Sequence, residues 1–223
     1  MADKYTPKDI YKLFEEKGRY YKIPKGQIFQ STDTRNVINL IKSGYVKRYL
    51  ISNDGSISVQ GIWGSGDIFP LTIAYKIIYG RNIYEGPEVY HYQSMTDMEL
   101  FVVDPDVLAG SLSEGHMIVK DLLFEAGKRI GSNIQRLENI GLKSSYNRVA
   151  HQLLYFAQEF GSKKIKGVSI NIPLTHQDLA DNLSITRETV TNAMKTLRQK
   201  GIIKPTRHIL VLDMDKLEEE AYG

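Results

Sequence analysis

The stretch Leu174 to Ile203, LTHQDLADNLSITRETVTNAMKTLRQKGII, constrains this chain more than any other, because it demands two helices of unequal length joined by a short turn. Thr175 and Asp178 have the spacing of a capping box, in which hydroxyl and carboxylate satisfy the orphaned amides of a helix start. Leu179, Ala180 and Leu183 give that first helix an apolar face, and Ala180 is small enough to let a second helix cross closely. The turn is expected near Asn182 to Ile185. The second helix is expected from Thr186, with Val190, Met194 and Leu197 repeating on its inner face.

The opposite face of the second helix carries Arg187, Glu188, Thr191, Asn192, Lys195 and Arg198. The first turn of such a helix reaches base edges when the helix lies in the major groove of DNA. A guanidinium pairs with guanine O6 and N7, a carboxylate accepts from cytosine N4, and a carboxamide pairs with adenine. Arg187, Glu188, Thr191 and Asn192 are therefore the expected base-reading residues. Lys195 and Arg198, further along, suit phosphates, which position without reading sequence. A solvated amphipathic helix would show the same charges, but not the capped helix and turn before them. Charge distribution agrees: residues 142–208 hold eleven Lys or Arg against four Asp or Glu, a local +7 in a chain of net charge +3. That is the footprint of a domain that displaces counterions from a phosphate backbone.

Other segments organise around this unit. Short β-rich runs at Val37 to Ile41, Tyr45 to Ile51, Ser56 to Trp63 and Glu99 to Val103 suggest a sandwich or barrel, with Asn53-Asp54-Gly55 as a hairpin turn and Lys8 to Glu16 as a helix beside it. A long helical pattern begins near Asp106 or Ser113 and runs to Ile140. Val119, Leu123, Ala126, Ile130, Asn133, Leu137 and Ile140 recur at steps of four and three, the seam of a coiled coil between two copies. The alternative is one amphipathic helix packed on its own barrel. Another helix is expected over Ser144 to Phe160, followed by a Gly161 to Gly167 loop and a strand from Val168 to Ile172. Beyond the second DNA helix, Gly201, Pro205 and Ile209 to Leu212 suggest a wing hairpin, with Arg207 near its tip as a phosphate contact.

The stretch Ile185-Thr186-Arg187-Glu188-Thr189-Val190 resembles the recognition-helix signature of the CRP/FNR family of bacterial transcription regulators. The resemblance implies an α+β chain with an N-terminal double-stranded β-helix (jelly-roll) sensor barrel over 1–105, a dimerisation helix over 106–141 and a C-terminal winged helix-turn-helix over 142–223. It also implies Thr175, Gln177 and Thr186 as phosphate contacts. Two positions depart from the pattern. Asn192 stands where many members have arginine, and Ser184 where a turn glycine is common.

The family's cyclic-nucleotide cassette is missing. Pro70 and Leu71 follow Gly66-Asp67-Ile68-Phe69 where Gly-Glu would hold a ribose, and Glu88 and Val89 stand where an arginine and serine would hold a phosphate, so cyclic AMP is not expected. Leu71, Tyr75, Tyr79, Arg81, Tyr84, Tyr90 and Tyr92 form the candidate effector pocket instead, since tyrosine offers a flat apolar face with a polar tip. Alternate tyrosines on strands that merely cover the barrel or a dimer contact are the competing reading. The chain has no cysteine, which excludes a cysteine-ligated iron–sulfur cluster and a thiol switch. His91 is a lone histidine among tyrosines, so neither haem nor a metal site is expected. No nucleophile elbow, phosphate loop or paired carboxylates call for a catalytic residue.

The expectation is a cytoplasmic, homodimeric regulator without a membrane segment. Its partners would be an inverted repeat of double-stranded DNA, an unknown small-molecule effector and RNA polymerase. The alternatives are a constitutive DNA-binding protein with a scaffold barrel, and a small-molecule-binding barrel protein with an incidental basic domain.

Overall fold

Alternating apolar residues on short strands shape the first hundred residues. The computed structural model describes residues 7–30, 37–81, 90–114 and 116–223. Its first elements are α1 (Lys8–Lys17), β1 (Arg19–Ile23), β2 (Ile28–Gln30), β3 (Ile38–Ser43), β4 (Val46–Ile51), β5 (Ile57–Trp63), β6 (Ile68–Phe69), α2 (Leu71–Tyr79), β7 (His91–Ser94) and β8 (Met98–Val103). They form two four-stranded sheets, ordered β1-β8-β3-β6 and β2-β7-β4-β5. Among the described residues this is an eight-stranded jelly roll, two sheets rather than one closed barrel. The pairs β1–β8, β3–β8, β3–β6, β2–β7 and β4–β7 are antiparallel, and β8 is held on both sides, Leu100 opposing Tyr21 and Ile41.

Gly55, at φ 81°, turns the chain between β4 and β5, and the Asp54 carboxylate accepts the Ser56 amide at 2.9 Å. The turn is local chemistry, as its Asn-Asp-Gly sequence requires.

Two apolar clusters fill the jelly roll and its flank. Ile41, Val46, Trp63, Phe69, Tyr92, Met98, Leu100 and Val102 pack between strands. Ile10, Leu13 and Phe14 of α1 join Ile38, Leu40, Ile68, Leu71, Ala74, Val103, Leu108 and Leu122. Each large side chain so buried contributes about 1.5–3 kcal/mol. The competing reading of tyrosines on strands holds for Tyr92 of β7 and is corrected for two others. Tyr75 and Tyr79 lie on α2, which exists because Leu71 and Ala74, one turn apart, are both buried. Gly80, at φ 67°, ends that helix, its amide donating to the Lys76 carbonyl.

The remaining elements are α3 (Pro105–Glu114), α4 (His116–Ile140), α5 (Ser145–Phe160), β9 (Gly161–Lys163), β10 (Val168–Ile170), α6 (His176–Leu183), α7 (Arg187–Gln199), β11 (Ile203–Pro205), β12 (Ile209–Val211) and α8 (Met214–Tyr222). Gly161 to Lys163, expected as loop, pairs with β10 instead and completes the sheet β11-β12-β10-β9. Val149, Leu153 and Phe156 of α5 are buried, as are Leu217 and Ala221 of α8. α8 itself went unread in the sequence.

The chain divides into two compact units, Met1–Tyr49 with Ile62–Gly131, and Leu50–Gly61 with Ser132–Gly223. The division falls inside α4. In the first unit, Asp121 of α4 is fully buried, and its Oδ2 accepts the amides of Asp9 and Ile10 at 2.9 Å each. α1 follows Pro7 and has no side-chain cap of its own, so a distant carboxylate supplies the missing acceptor.

In the second unit, Asn139 Nδ2 donates to the Arg148 carbonyl at 2.8 Å and lies 3.2 Å from His151 Nδ1. This buried network joins the end of α4 to α5.

Candidate nucleic-acid interface

α6 begins where its capping box requires. Thr175 Oγ1 accepts the Asp178 amide at 3.0 Å, and Asp178 Oδ2 accepts the Thr175 amide at 3.0 Å. Leu179, Ala180 and Leu183 are buried. At the other end Ser184 is left-handed, with φ 53° and ψ 49°, and its amide donates to the Ala180 carbonyl. The turn forms with serine in the conformation that glycine adopts most easily. Arg148 donates to the Leu183 carbonyl, which further fixes this turn.

α7 is capped by Thr186, whose hydroxyl accepts the Thr189 amide at 3.1 Å. Val190, Ala193 and Leu197 are buried, while Met194 is half-buried. Arg187, Glu188, Thr191, Asn192, Lys195 and Arg198 are all exposed, so the six polar residues of the outer face share one open surface. They are not equivalent. The Thr191 hydroxyl donates to the Arg187 carbonyl and lies 2.9 Å from His176 Nδ1. It is occupied within the protein, a contact that sequence spacing did not suggest.

The expected phosphate contacts Thr175, Gln177 and Thr186 are exposed around the start of α6 and α7. Gln177 Nε2 donates to Asp181 Oδ1 at 2.7 Å. At the end of α7, Lys200 is drawn away from such a role, its Nζ lying 2.6 Å from Glu220 Oε1. Tyr146 donates to the same carboxylate at 2.8 Å. Burial, followed by that hydrogen bond, pushes the Tyr146 hydroxyl up to about 12.

β11 and β12 pair Ile203 with Val211 and Pro205 with Ile209, and Arg207 is exposed in the turn between them. A capped α6, a left-handed turn, a longer α7 with an open first turn and this hairpin together define a winged helix-turn-helix.

Comparison with known proteins agrees. Residues 147–220 match the Crp-like helix-turn-helix domain. The chain is 24% identical over 200 residues to the CRP-like cAMP-activated global transcriptional regulator of Mycobacterium tuberculosis, covering 89% of this chain and 86% of the relative. A probable transcriptional activator of Rhizobium leguminosarum is 30% identical over 128 residues, 56% of this chain and 53% of that one. Among solved structures, a CooA variant from Carboxydothermus hydrogenoformans shares the fold with TM-score 0.74 at 20% identity, covering 98% of this chain and 96% of its own. Residues 147–220 thus carry a Crp-like helix-turn-helix domain, and the chain, similar to CRP/FNR-type regulators along most of its length, is a DNA-binding transcription regulator. These relatives are regulators rather than enzymes. No helix among the described residues is long and apolar enough to cross a membrane.

The candidate effector residues do not form one cluster. Leu71 is core, Tyr75 packs against the core from α2, and Tyr79 and Arg81 are exposed. Tyr92 is core between strands, and Tyr90 packs against that cluster. Tyr84, like Glu88 and Val89, lies outside the described residues. His91 stacks on Tyr49, with ring centroids 5.3 Å apart. Sequence reading passed over Arg48, Trp63 and Arg129, which come together here: both guanidinium carbons lie within 5.0 Å of the Trp63 ring centroid. Their only signal in sequence was a lone tryptophan among strands.

Proposed function

We propose that this regulator works as a homodimer on an inverted repeat of DNA in the cytoplasm, under control of an effector bound by the jelly roll. The apolar stripe on α4 carries this reading. Leu123, Ile130, Leu137 and Ile140 are 71%, 60%, 68% and 64% exposed in the single chain, with Val119 beside them. A second copy of α4 would cover them, because their steps of seven, seven and three repeat as a coiled-coil seam does. Ala126 lies partly against its own core, so it would contribute less, and Asn133 is exposed on the same face, able to set register.

Twofold symmetry would present two α7 helices to two half-sites. Arg187, Glu188 and Asn192 would read bases there. Lys195, Arg198 and Arg207, with the helix starts at Thr175, Gln177 and Thr186, would take phosphates. An effector that binds one arrangement of the dimer better than the other would shift operator affinity, and RNA polymerase would be the target of the bound dimer.

Selection of bound sequences from a random DNA pool tests this reading. The wild type should enrich an inverted repeat, Arg187→Ala should lose it, and Leu137→Glu should bind DNA without a paired half-site. Salt-sensitive binding with no enriched sequence, with and without candidate effectors, would overturn it.

A further inference from the structure

His151, on α5, is a buried titratable group with no part in reading bases or taking phosphates. It is 3% exposed, and its Nδ1 lies 3.2 Å from Asn139 Nδ2, near the end of α4. The same Nδ2 donates to the Arg148 carbonyl at 2.8 Å, while Asn139 Oδ1 accepts from Arg148 Nε at 3.3 Å. Arg148 also donates to the carbonyl of Leu183, the last residue of α6. A chain of contacts therefore runs from α4 through Asn139 and Arg148 to the turn of the helix-turn-helix, and His151 closes its buried end. All of these residues belong to the second compact unit.

Their geometry fixes the protons. A carboxamide nitrogen only donates, so His151 Nδ1 is the acceptor and the neutral ring carries its proton on Nε2. A proton added at Nδ1 sets one N–H against another. Turning the carboxamide over relieves that clash only by setting Oδ1 against the Arg148 carbonyl and Nδ2 against Arg148 Nε. Either way, protonation breaks a buried network that is complete with the neutral ring.

The surroundings favour the neutral ring. Burial holds the His151 pKa below the ordinary 6.5, and Glu138 of α4, its Oε2 4.0 Å from Nε2, offsets only part of that. α8 contributes the Tyr222 ring, edge-on with centroids 5.4 Å apart, whose own pKa is raised by burial and then by Glu138 and Glu218. The ionisable side chains of α6 are engaged elsewhere, His176 with Thr191, Asp178 with Thr175 and Asp181 with Gln177. Lys200, after α7, is held by Glu220, and Lys163 of β9 is exposed. Among the described residues, no carboxylate but Glu138 pairs with the ring.

We propose that His151 is a proton-controlled positioning residue for the DNA reader: the neutral ring holds Asn139 and Arg148 on the turn between α6 and α7, and the protonated ring releases them. The regulator then binds its operator more weakly as pH falls. Stability follows the same sign, since a histidine whose pKa is lowered by folding contributes stability that is fully present above about 6.5 and is lost as pH falls through the lowered value. This adds a proton to the signals the regulator answers, and it depends neither on an effector in the jelly roll nor on the dimer seam.

Hydrogen exchange of the full chain, read by mass spectrometry at about pH 7.5 and about pH 5 and corrected for the intrinsic rate at each, measures the turn directly. In the wild type, protection over residues 180–190 should fall about fivefold or more at the lower pH. His151→Asn places a carbonyl oxygen where Nδ1 stands, an acceptor that does not titrate in this range, and its protection should stay. Asn139→Ala removes the donor, so its turn should be loose at both pH values. On operator DNA, fluorescence anisotropy should show wild-type affinity falling about fivefold or more further than that of His151→Asn over the same range. Effects of the other histidines are common to both proteins and cancel in the comparison. Circular dichroism melts confirm that each variant is folded, and His151→Gln replaces His151→Asn if the latter is not.

An unchanged wild-type turn at the lower pH overturns the proposal, as does an equal loss of protection in wild type and His151→Asn. So does an Asn139→Ala turn as protected as the wild type at the higher pH. If the DNA selection enriches no operator, hydrogen exchange decides alone, so failure of the DNA reading and failure of this switch are told apart.

Discussion

His176 Nδ1 lies 2.9 Å from Thr191 Oγ1, joining the first turn of α6 to the second turn of α7 across the helix-turn-helix. The hydroxyl also donates to the Arg187 carbonyl at 2.9 Å, so one side chain ties the crossing of the two helices to the backbone of the reading turn. Thr191→Val keeps the shape and removes both bonds. Because the pair is exposed, the loss of stability should be small, about 0.5–1 kcal/mol by urea unfolding. Operator affinity should fall while the preferred sequence stays the same. A changed base preference in the Thr191→Val selection would show instead that the hydroxyl itself reads a base.

Arg187 and Lys195 stand on the same exposed face of α7, two turns apart. Their roles should separate by salt. Arg187→Ala should cost about 1–3 kcal/mol on the operator and relax preference at one base pair in each half-site. Lys195→Ala should weaken all sequences alike and reduce the slope of log affinity against log salt by about 0.9 for each site occupied. Fluorescence anisotropy on operator and scrambled DNA at several salt concentrations measures both.

Ser184 holds a left-handed conformation, φ 53°, that a side chain disfavours. Ser184→Gly removes that strain but adds freedom to the unfolded chain. The two effects oppose, and relief of strain should win by about 0.5 kcal/mol, seen as a higher urea midpoint with DNA affinity unchanged. A lower midpoint would show that the serine hydroxyl supports the turn.

Glu125 is fully buried on α4, with Lys128 Nζ 3.6 Å from Oε1, and among the described residues no closer hydrogen bond reaches either carboxylate oxygen. Burial raises its pKa above the ordinary 4.5, with Lys128 pulling it partly back and Asp67 raising it further. The folded state therefore holds this proton more tightly than the unfolded chain. Its contribution to stability is fully present below about 4.5 and is lost as pH rises through the elevated value. Glu125→Gln keeps the volume and removes the titration. The variant should be at least as stable as the wild type at neutral pH and should show a smaller loss between pH 5 and pH 7.5 in thermal melts. An equal loss in both proteins would assign the pH dependence to other groups.

The helix-turn-helix was legible because its signals are local. A threonine three residues before an aspartate, and apolar residues one turn apart, define α6 and the inner face of α7 without reference to the rest of the chain. Ala193 is buried there although its short side chain gives a weak periodic signal. The strand runs around β3, β4, β5 and β8 were legible for a similar reason, as was the hairpin turn at Gly55. By contrast, the tyrosines of α2 mimic alternation, and only the burial of Leu71 and Ala74 against α1 and α3 decides for a helix. Arg48, Trp63 and Arg129 meet through tertiary packing between a strand pair and a helix far apart in sequence. No spacing rule joins them. The Thr191 hydroxyl is another such case, since its occupation by His176 depends on the angle at which two helices cross.

The cap that Asp121 provides makes the first helix conditional on α4, more than a hundred residues downstream. α1 is short, follows a proline and has no cap of its own. As an isolated segment it would be coil. Its helical state is thus a property of the closed loop between Pro7 and Asp121, and any movement of α4 that withdraws this carboxylate would be felt first as fraying at the opposite end of the chain.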